Sequence, residues 1–206
     1  MSLEIWLVYF FATMALCVTP GPNSLLVLTH GASHGLKKSL FTSMGGAAGF
    51  TLVIGVCMAG LGAVLAASTL AFDIVKWIGA GYLIYLGIIT WRSPPLKAQF
   101  RATPTKAKGR ILFAQGFMAA ASNPKVIIFF AAFLPQFVDP ERSQFIQFLF
   151  LAATFVSTEF VVEILLAGSA SKLAPWLAKS NVGRWFNRIS GGTFIAIGGL
   201  LALTEK

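Results

Sequence analysis

The 206-residue chain is 56% hydrophobic and only 11% charged, with a mean hydropathy of +0.77, whereas soluble domains carry roughly 25% charged residues; a water-soluble globule is excluded. In so apolar a chain the net charge of +9 points to membrane orientation rather than to nucleic acid. Cys17 and Cys57 both lie in apolar runs, which excludes a secreted disulfide framework.

Apolar runs of about 18 residues or more with few or no charges mark membrane spans. They fall at roughly 5–28, 39–67, 74–91, 111–137 and 145–171, with a shorter sixth at 189–203. The first is read as a retained helix rather than a cleavable signal. Glu4 stands where a positive region would be, and Pro20 and Pro22 where small residues would permit cleavage.

Inside that span lies Thr19-Pro20-Gly21-Pro22-Asn23. Each proline removes a hydrogen-bond donor and clashes with the preceding turn. Hydrocarbon tolerates the freed carbonyls only where protein or a water-filled cavity satisfies them. A simple kink is one reading; the second proline and Asn23 favour a broken helix facing the bundle interior. Resumption after Pro22 creates a half-helix N-terminus, whose free amides attract an anion. His30 and His34 are one turn apart, a spacing that could suit a metal. With Lys37 and Lys38 beside them and no acid or thiol nearby, they read as a solvated interfacial face.

In the second, third and sixth spans, Gly45 and Gly49, Gly81 and Gly87, and Gly191, Gly192 and Gly198 read as close-packing positions. Residues 92–110 form a basic, threonine-bearing connection expected to be solvated. The fourth span is interrupted at Ser122-Asn123-Pro124-Lys125. Lys125 is the one cation deep in a span, at an insertion cost of roughly 2.5–3.5 kcal/mol, and should face the bundle with a partner. Asn123 can hold the break together.

The fifth span supplies both intramembrane acids, Glu159 and Glu163, four residues apart on one helix face. Two carboxylates in a low dielectric do not both ionise readily, as a proton-coupling site requires. An ion pair of Lys125 with one of them is equally compatible with the sequence. Between the fifth and sixth spans, residues 172–188 mix Leu173, Trp176, Leu177, Trp185 and Phe186 with four basic residues. That mixture suits a segment lying on the anionic inner leaflet.

Charge sorts with this count of spans. Connections 29–38, 92–110 and 172–188 together carry twelve basic residues and no acidic one. The opposite side, holding both termini and the 68–73 and 138–144 connections, is mixed or acidic. The positive-inside rule makes the basic side cytoplasmic and leaves both termini outside.

The chain also repeats. Phe11-Ala12 precedes Pro22 by the interval at which Phe113-Ala114 precedes Pro124, and the stretch from Ile78 to Gly87 aligns with Ile189 to Gly198. Three spans per half is an odd number, so the halves insert in opposite orientations, as in many secondary transporters. The expected fold is an all-α integral membrane protein. Its six transmembrane helices form two inverted-topology three-helix repeats, 1–91 and 111–206, joined by the 92–110 loop in one domain.

These residues resemble a known family. Thr19 to Asn23 as TPGPN, Ser122 to Lys125 as SNPK, the following Phe133-Leu134-Pro135-Gln136-Phe137, and Gly79 to Gly87 as GAGYLIYLG are similar to the LysE/RhtB family of bacterial amino-acid exporters. The likeness covers nearly the whole chain. It implies efflux of amino acids or close derivatives, driven by protons, with no prosthetic group. The substrate-binding residues would be Thr19, Pro20, Gly21, Pro22, Asn23, Asn123, Pro124 and Lys125, and the coupling residues Glu159 and Glu163. An acid at Glu159 fits the family pattern, while Glu163 stands where an apolar or aromatic residue is expected. The partners implied are the substrate, protons and lipid, not nucleic acid, and the glycine-rich faces leave a homodimer open. A divalent-metal exporter of the same superfamily is the alternative, although two acids and two separated cysteines form a poor metal set. An intramembrane enzyme would need a nucleophile–base pair, and no mid-span histidine supplies one.

Overall fold

A computed structural model describes residues 3–19, 21–67, 69–92, 108–139, 141–177 and 180–203. Pro20, residues 93–107 of the basic connection and both chain ends, Lys206 included, lie outside the described residues. The described chain is all-helical. In order it forms α1 (Leu3–Val18), α2 (Pro22–His34), α3 (Leu36–Ala67), α4 (Thr69–Arg92), α5 (Gly109–Ala121), α6 (Pro124–Phe133), α7 (Gln144–Leu177) and α8 (Ser180–Leu203). A short 3₁₀ turn, Leu134–Gln136, follows α6.

Both sequence breaks are bends between helices. The axes of α1 and α2 differ by 54°, and those of α5 and α6 by 47°. Pro22 opens α2 and Pro124 opens α6, at the position where a missing N–H costs no helical bond. Leu36–Gly60 of α3 and Gln144–Ala170 of α7 are long and apolar enough to cross a membrane, as is each bent pair taken as one span. With 34 residues, α7 is about 51 Å long and exceeds a hydrocarbon core of ~30 Å. The segment expected to lie on the inner leaflet is not a separate element. Its first part, through Leu177, completes α7, and Ser180 already begins α8.

Glycine contacts set the packing. A β-carbon at Gly45 would come within 2.0 Å of the Phe113 carbonyl oxygen, and one at Gly116 within 2.0 Å of that of Thr42. At Gly49 the contact moves on to the Phe117 carbonyl, so α3 and α5 run parallel. In the other seam Gly87 meets Gly191 while Gly198 meets Ala80, so α4 and α8 run antiparallel. Gly81 faces open space, unlike the packing position expected of it. Asn23 meets Glu163 and Gly31 meets Ala167, which makes α2 parallel to α7. These directions bring His34, Leu36, Arg92, Gly109, Leu177 and Ser180 to one end of the bundle.

The core fills the space below the breaks with aromatic rings. Phe155 of α7 takes Phe50 of α3 and Phe130 of α6 edge-on, with centroids 5.4 and 4.8 Å away. The buried Tyr9 hydroxyl donates to the Leu151 carbonyl at 3.0 Å. The Phe133–Phe137 motif folds over this cluster, placing Phe137 5.2 Å from the Tyr9 ring. A rigid aromatic floor thus fixes α1, α6 and α7 relative to one another, one turn from the polar residues of the breaks.

Candidate functional site at the two helix breaks

The bends at α1–α2 and α5–α6 meet in the centre of the bundle. A β-carbon on Gly21 would lie 3.2 Å from the Lys125 Nζ and 3.6 Å from the Asn123 Nδ2. The absence of a side chain at Gly21 therefore lets one break approach the other. Pro22 and Pro124 are exposed, whereas Asn23 and Asn123 are buried. The prolines shape the breaks, and the asparagines supply buried polar atoms beside them.

Lys125 reaches across to the end of α1. Its ammonium donates to the carbonyl oxygens of Leu16 at 3.0 Å and Thr19 at 2.8 Å. In a continuous helix the Leu16 carbonyl would accept from the residue at position 20, and proline has no N–H to give. Lys125 replaces that donor, and its charge faces the negative end of the α1 dipole. It is near enough to attract Glu159 but makes no contact ion pair. Among the described residues Arg142–Asp139, at 3.1 Å, is the pair within contact distance, and it is exposed.

The other sequence-selected residues divide by role. Thr19 turns its hydroxyl back to the Ala15 carbonyl at 2.7 Å, so its polar side chain is spent within α1. Asn123 caps α6, its side chain accepting the Lys125 backbone N–H at 3.1 Å; it does hold the break together. Asn23 donates its amide to Glu163 and packs on Gly46, where even a β-carbon would fall 2.8 Å from its nitrogen. Glu163 therefore pairs with Asn23 rather than with Lys125. Glu159, one turn earlier, faces the Cys17 thiol and Lys125. Asn23 and Glu163 are each 1% exposed and Glu159 6%. One cation and two carboxylates thus share a centre with little water, where charge interactions are strong. Pro20 lies outside the described residues.

Two residues of this centre were not selected from the sequence. Cys17 contacts Glu159. Ser43 of α3 faces Glu163 without completing a hydrogen bond. The signal for Ser43 was present: Ser39, Thr42 and Ser43 form a buried polar stripe with helical spacing inside an apolar span. His30 is a correction. It is buried against α3, not solvated, with Nδ1 2.8 Å from the Thr42 hydroxyl, because α2 leans on that polar stripe. Its ring lies 5.6 Å from that of His34, and among the described residues no group of three potential metal ligands forms.

The chain matches known proteins over nearly its whole length. The chain is 33% identical over 202 residues to a homoserine/homoserine lactone efflux protein of Salmonella typhimurium, covering 98% of both chains. It is 29% identical over 203 residues to a leucine efflux protein of an Enterobacter species, covering 97% of this chain and 95% of the relative. A Vibrio cholerae protein described as a membrane protein is 33% identical over the full length of both. No solved structure matches. The family described as LysE type translocator matches residues 14–205. With nearly its whole length matched, this chain belongs to the LysE type translocator family, whose efflux-named relatives are transporters and not enzymes.

Proposed function

We propose that the protein is a secondary exporter of amino acids or close derivatives across the bacterial inner membrane, driven by proton antiport. The observation that carries this reading is the convergence of two broken helices, one half-buried cation and two buried carboxylates on a single centre. Homoserine, homoserine lactone and leucine, named for the relatives, share an α-ammonium group, and the lactone lacks a free carboxylate. The substrate class proposed here is accordingly the small α-amino compound. Where a carboxylate is present, the Asn23 and Ser24 amides receive it. They precede the first hydrogen bond of α2, from Leu25 N–H to the Gly21 carbonyl, and sit at the positive end of that helix. Lys125 has a third proton to offer the same group. Thr19, Pro20, Gly21, Pro22, Asn123 and Pro124 act by shaping the two breaks.

Coupling is assigned to Glu159, with Glu163 as its partner. The chain contains no nucleotide-binding loop of the Gly-x-x-x-x-Gly-Lys-Ser/Thr type, so ion coupling supplies the energy. Six spans in two inverted repeats, with both termini periplasmic, complete the reading. The helix directions support it, since the connections rich in lysine and arginine all emerge at one end of the bundle. A divalent-metal exporter is not favoured by the names of the relatives.

The test is counterflow and pH-driven uptake of labelled leucine and homoserine into everted membrane vesicles. The wild type should accumulate at least one of them when an inward-acid gradient is imposed. Glu159→Gln, which fixes the protonated form, should abolish gradient-driven accumulation while retaining substrate exchange. If Glu159→Gln, Glu163→Gln and the double variant all respond to the gradient like the wild type, proton coupling at this centre is wrong.

A further inference from the structure

Three buried oxygen atoms at the centre of the bundle have no hydrogen-bond partner: Asn23 Oδ1, Ser43 Oγ and Glu159 Oε2. They come from α2, α3 and α7, and their residues are 1%, 1% and 6% exposed. They meet around Glu163, which receives the Asn23 amide and is faced by Ser43, with Glu159 one turn earlier on the same helix. Buried polar atoms in folded proteins are nearly always paired, and an unpaired one is costly. Three of them on residues that adjoin one buried carboxylate call for a partner.

The chemistry of that partner follows from the atoms. All three can accept hydrogen bonds, and the one O–H donor among them, on Ser43, faces the Glu163 carboxylate. The Asn23 amide nitrogen, which could have donated to an anion, is already committed to Glu163. The donors of the site, Lys125 and the first amides of α2, lie on the side of the breaks instead. A carboxylate finds nothing on the oxygen side, whereas a primary ammonium has three N–H groups for three acceptors. We infer that Asn23 Oδ1, Ser43 Oγ and Glu159 Oε2 form the subsite for the α-ammonium of the exported substrate, with Glu163 as its counter-charge. This rests on the exporter reading above and adds to it a residue, Ser43, that belongs to neither break nor to the acid pair. It also gives antiport a physical form. A proton on Glu159 Oε2 converts an acceptor into a donor, so proton and ammonium exclude one another at the same atom.

The experiment is equilibrium binding to the full-length protein in lipid nanodiscs, together with vesicle transport. The ligands are L-homoserine, L-homoserine lactone, which keeps the ammonium but not the carboxylate, and 4-hydroxybutyrate, which keeps the carboxylate but not the ammonium. Sodium chloride is compared with choline chloride throughout. Homoserine and its lactone should bind, and 4-hydroxybutyrate should bind far more weakly. Ser43→Ala should weaken both amines by roughly tenfold, the usual effect of one lost hydrogen bond to a charged group, while leaving 4-hydroxybutyrate unchanged. Ser43→Thr, which keeps the hydroxyl, should restore the amines, and serves as the readout should the alanine variant fold poorly.

Binding of 4-hydroxybutyrate as tight as homoserine overturns the subsite. So does an unchanged amine affinity in Ser43→Ala, or saturation by sodium in competition with the amines, which would make it a metal-ion site. In those cases wild-type transport persists and the exporter reading stands. Absence of saturable binding and transport of homoserine, its lactone and leucine alike in the wild type overturns the exporter reading and the subsite together.

Discussion

Replacing Lys125 by methionine should destabilise the bundle at the α1–α2 break, and the size of the effect can be worked from the contacts. Methionine keeps most of the apolar stem and removes the ammonium. Two charge-assisted hydrogen bonds are lost, to Leu16 O at 3.0 Å and Thr19 O at 2.8 Å. Hydrogen bonds to charged groups contribute about 1.5–3 kcal/mol each. Lys125 is only half-buried, and unfolded segments in a membrane find other partners, so the expected loss is about 2–4 kcal/mol rather than the full sum. Unfolding by sodium dodecyl sulfate in mixed micelles, followed by tryptophan fluorescence, measures it. A cycle with Glu159→Gln separates the two roles of the lysine. The electrostatic part should vanish when Glu159 is already neutral, and the capping part should remain. A midpoint for Lys125→Met within error of the wild type would refute the capping assignment. A loss wholly rescued by Glu159→Gln would show that Lys125 serves the acid alone.

Two further outcomes test the frame around the site. Gly116→Ala should cost about 1–3 kcal/mol or more, since its β-carbon would fall 2.0 Å from the Thr42 carbonyl. Gly60→Ala, with nothing within 4 Å, should be neutral or gain about 0.5–1 kcal/mol; equal effects at the two positions in the same micelle assay would contradict the α3–α5 seam. For topology, a green fluorescent reporter fused after Lys206 should stay dark in cells while an alkaline phosphatase fusion is active, and bright fluorescence would invert the orientation.

The two breaks were legible because their cause is covalent. A proline lacks its N–H wherever it stands, so Pro22 and Pro124 announce interrupted helices without reference to any neighbour. The buried acids were legible for a similar reason, since a carboxylate in an apolar run must face the interior. What the sequence did not disclose was partnership. Lys125 could have met either glutamate, and instead it caps carbonyls that belong to α1, more than a hundred positions earlier. Glu163 could have met Lys125, and instead takes the amide of Asn23. His30 was misread because its sequence neighbours are basic and polar, while its spatial neighbour is Thr42. Side-chain choices of this kind depend on which helix faces lie opposite, and periodicity alone does not encode that. Gly81 illustrates the same limit, because a small residue permits close approach without requiring it.

The two breaks begin from similar sequence but do different things, and the difference gives the proposed exporter its polarity. Asn23 follows Pro22 as Lys125 follows Pro124. Were both positions lysine, each opened helix would bring a cation to the centre, and two carboxylates would be consumed in neutralising them. Were both asparagine, the carbonyls freed at the end of α1 would lack a donor, and neither acid would have a nearby cation. With one of each, Lys125 neutralises the negative end of α1 and leaves the positive end of α2 free to receive an anion. Asn23 turns its single donor group to Glu163, leaving acceptors on the opposite side. The centre thereby acquires an anion-facing pole and a cation-facing pole across one turn of helix. On the proposed reading, that arrangement would match the charge separation of an α-amino acid and would keep the Glu159 oxygen in contention between substrate and proton.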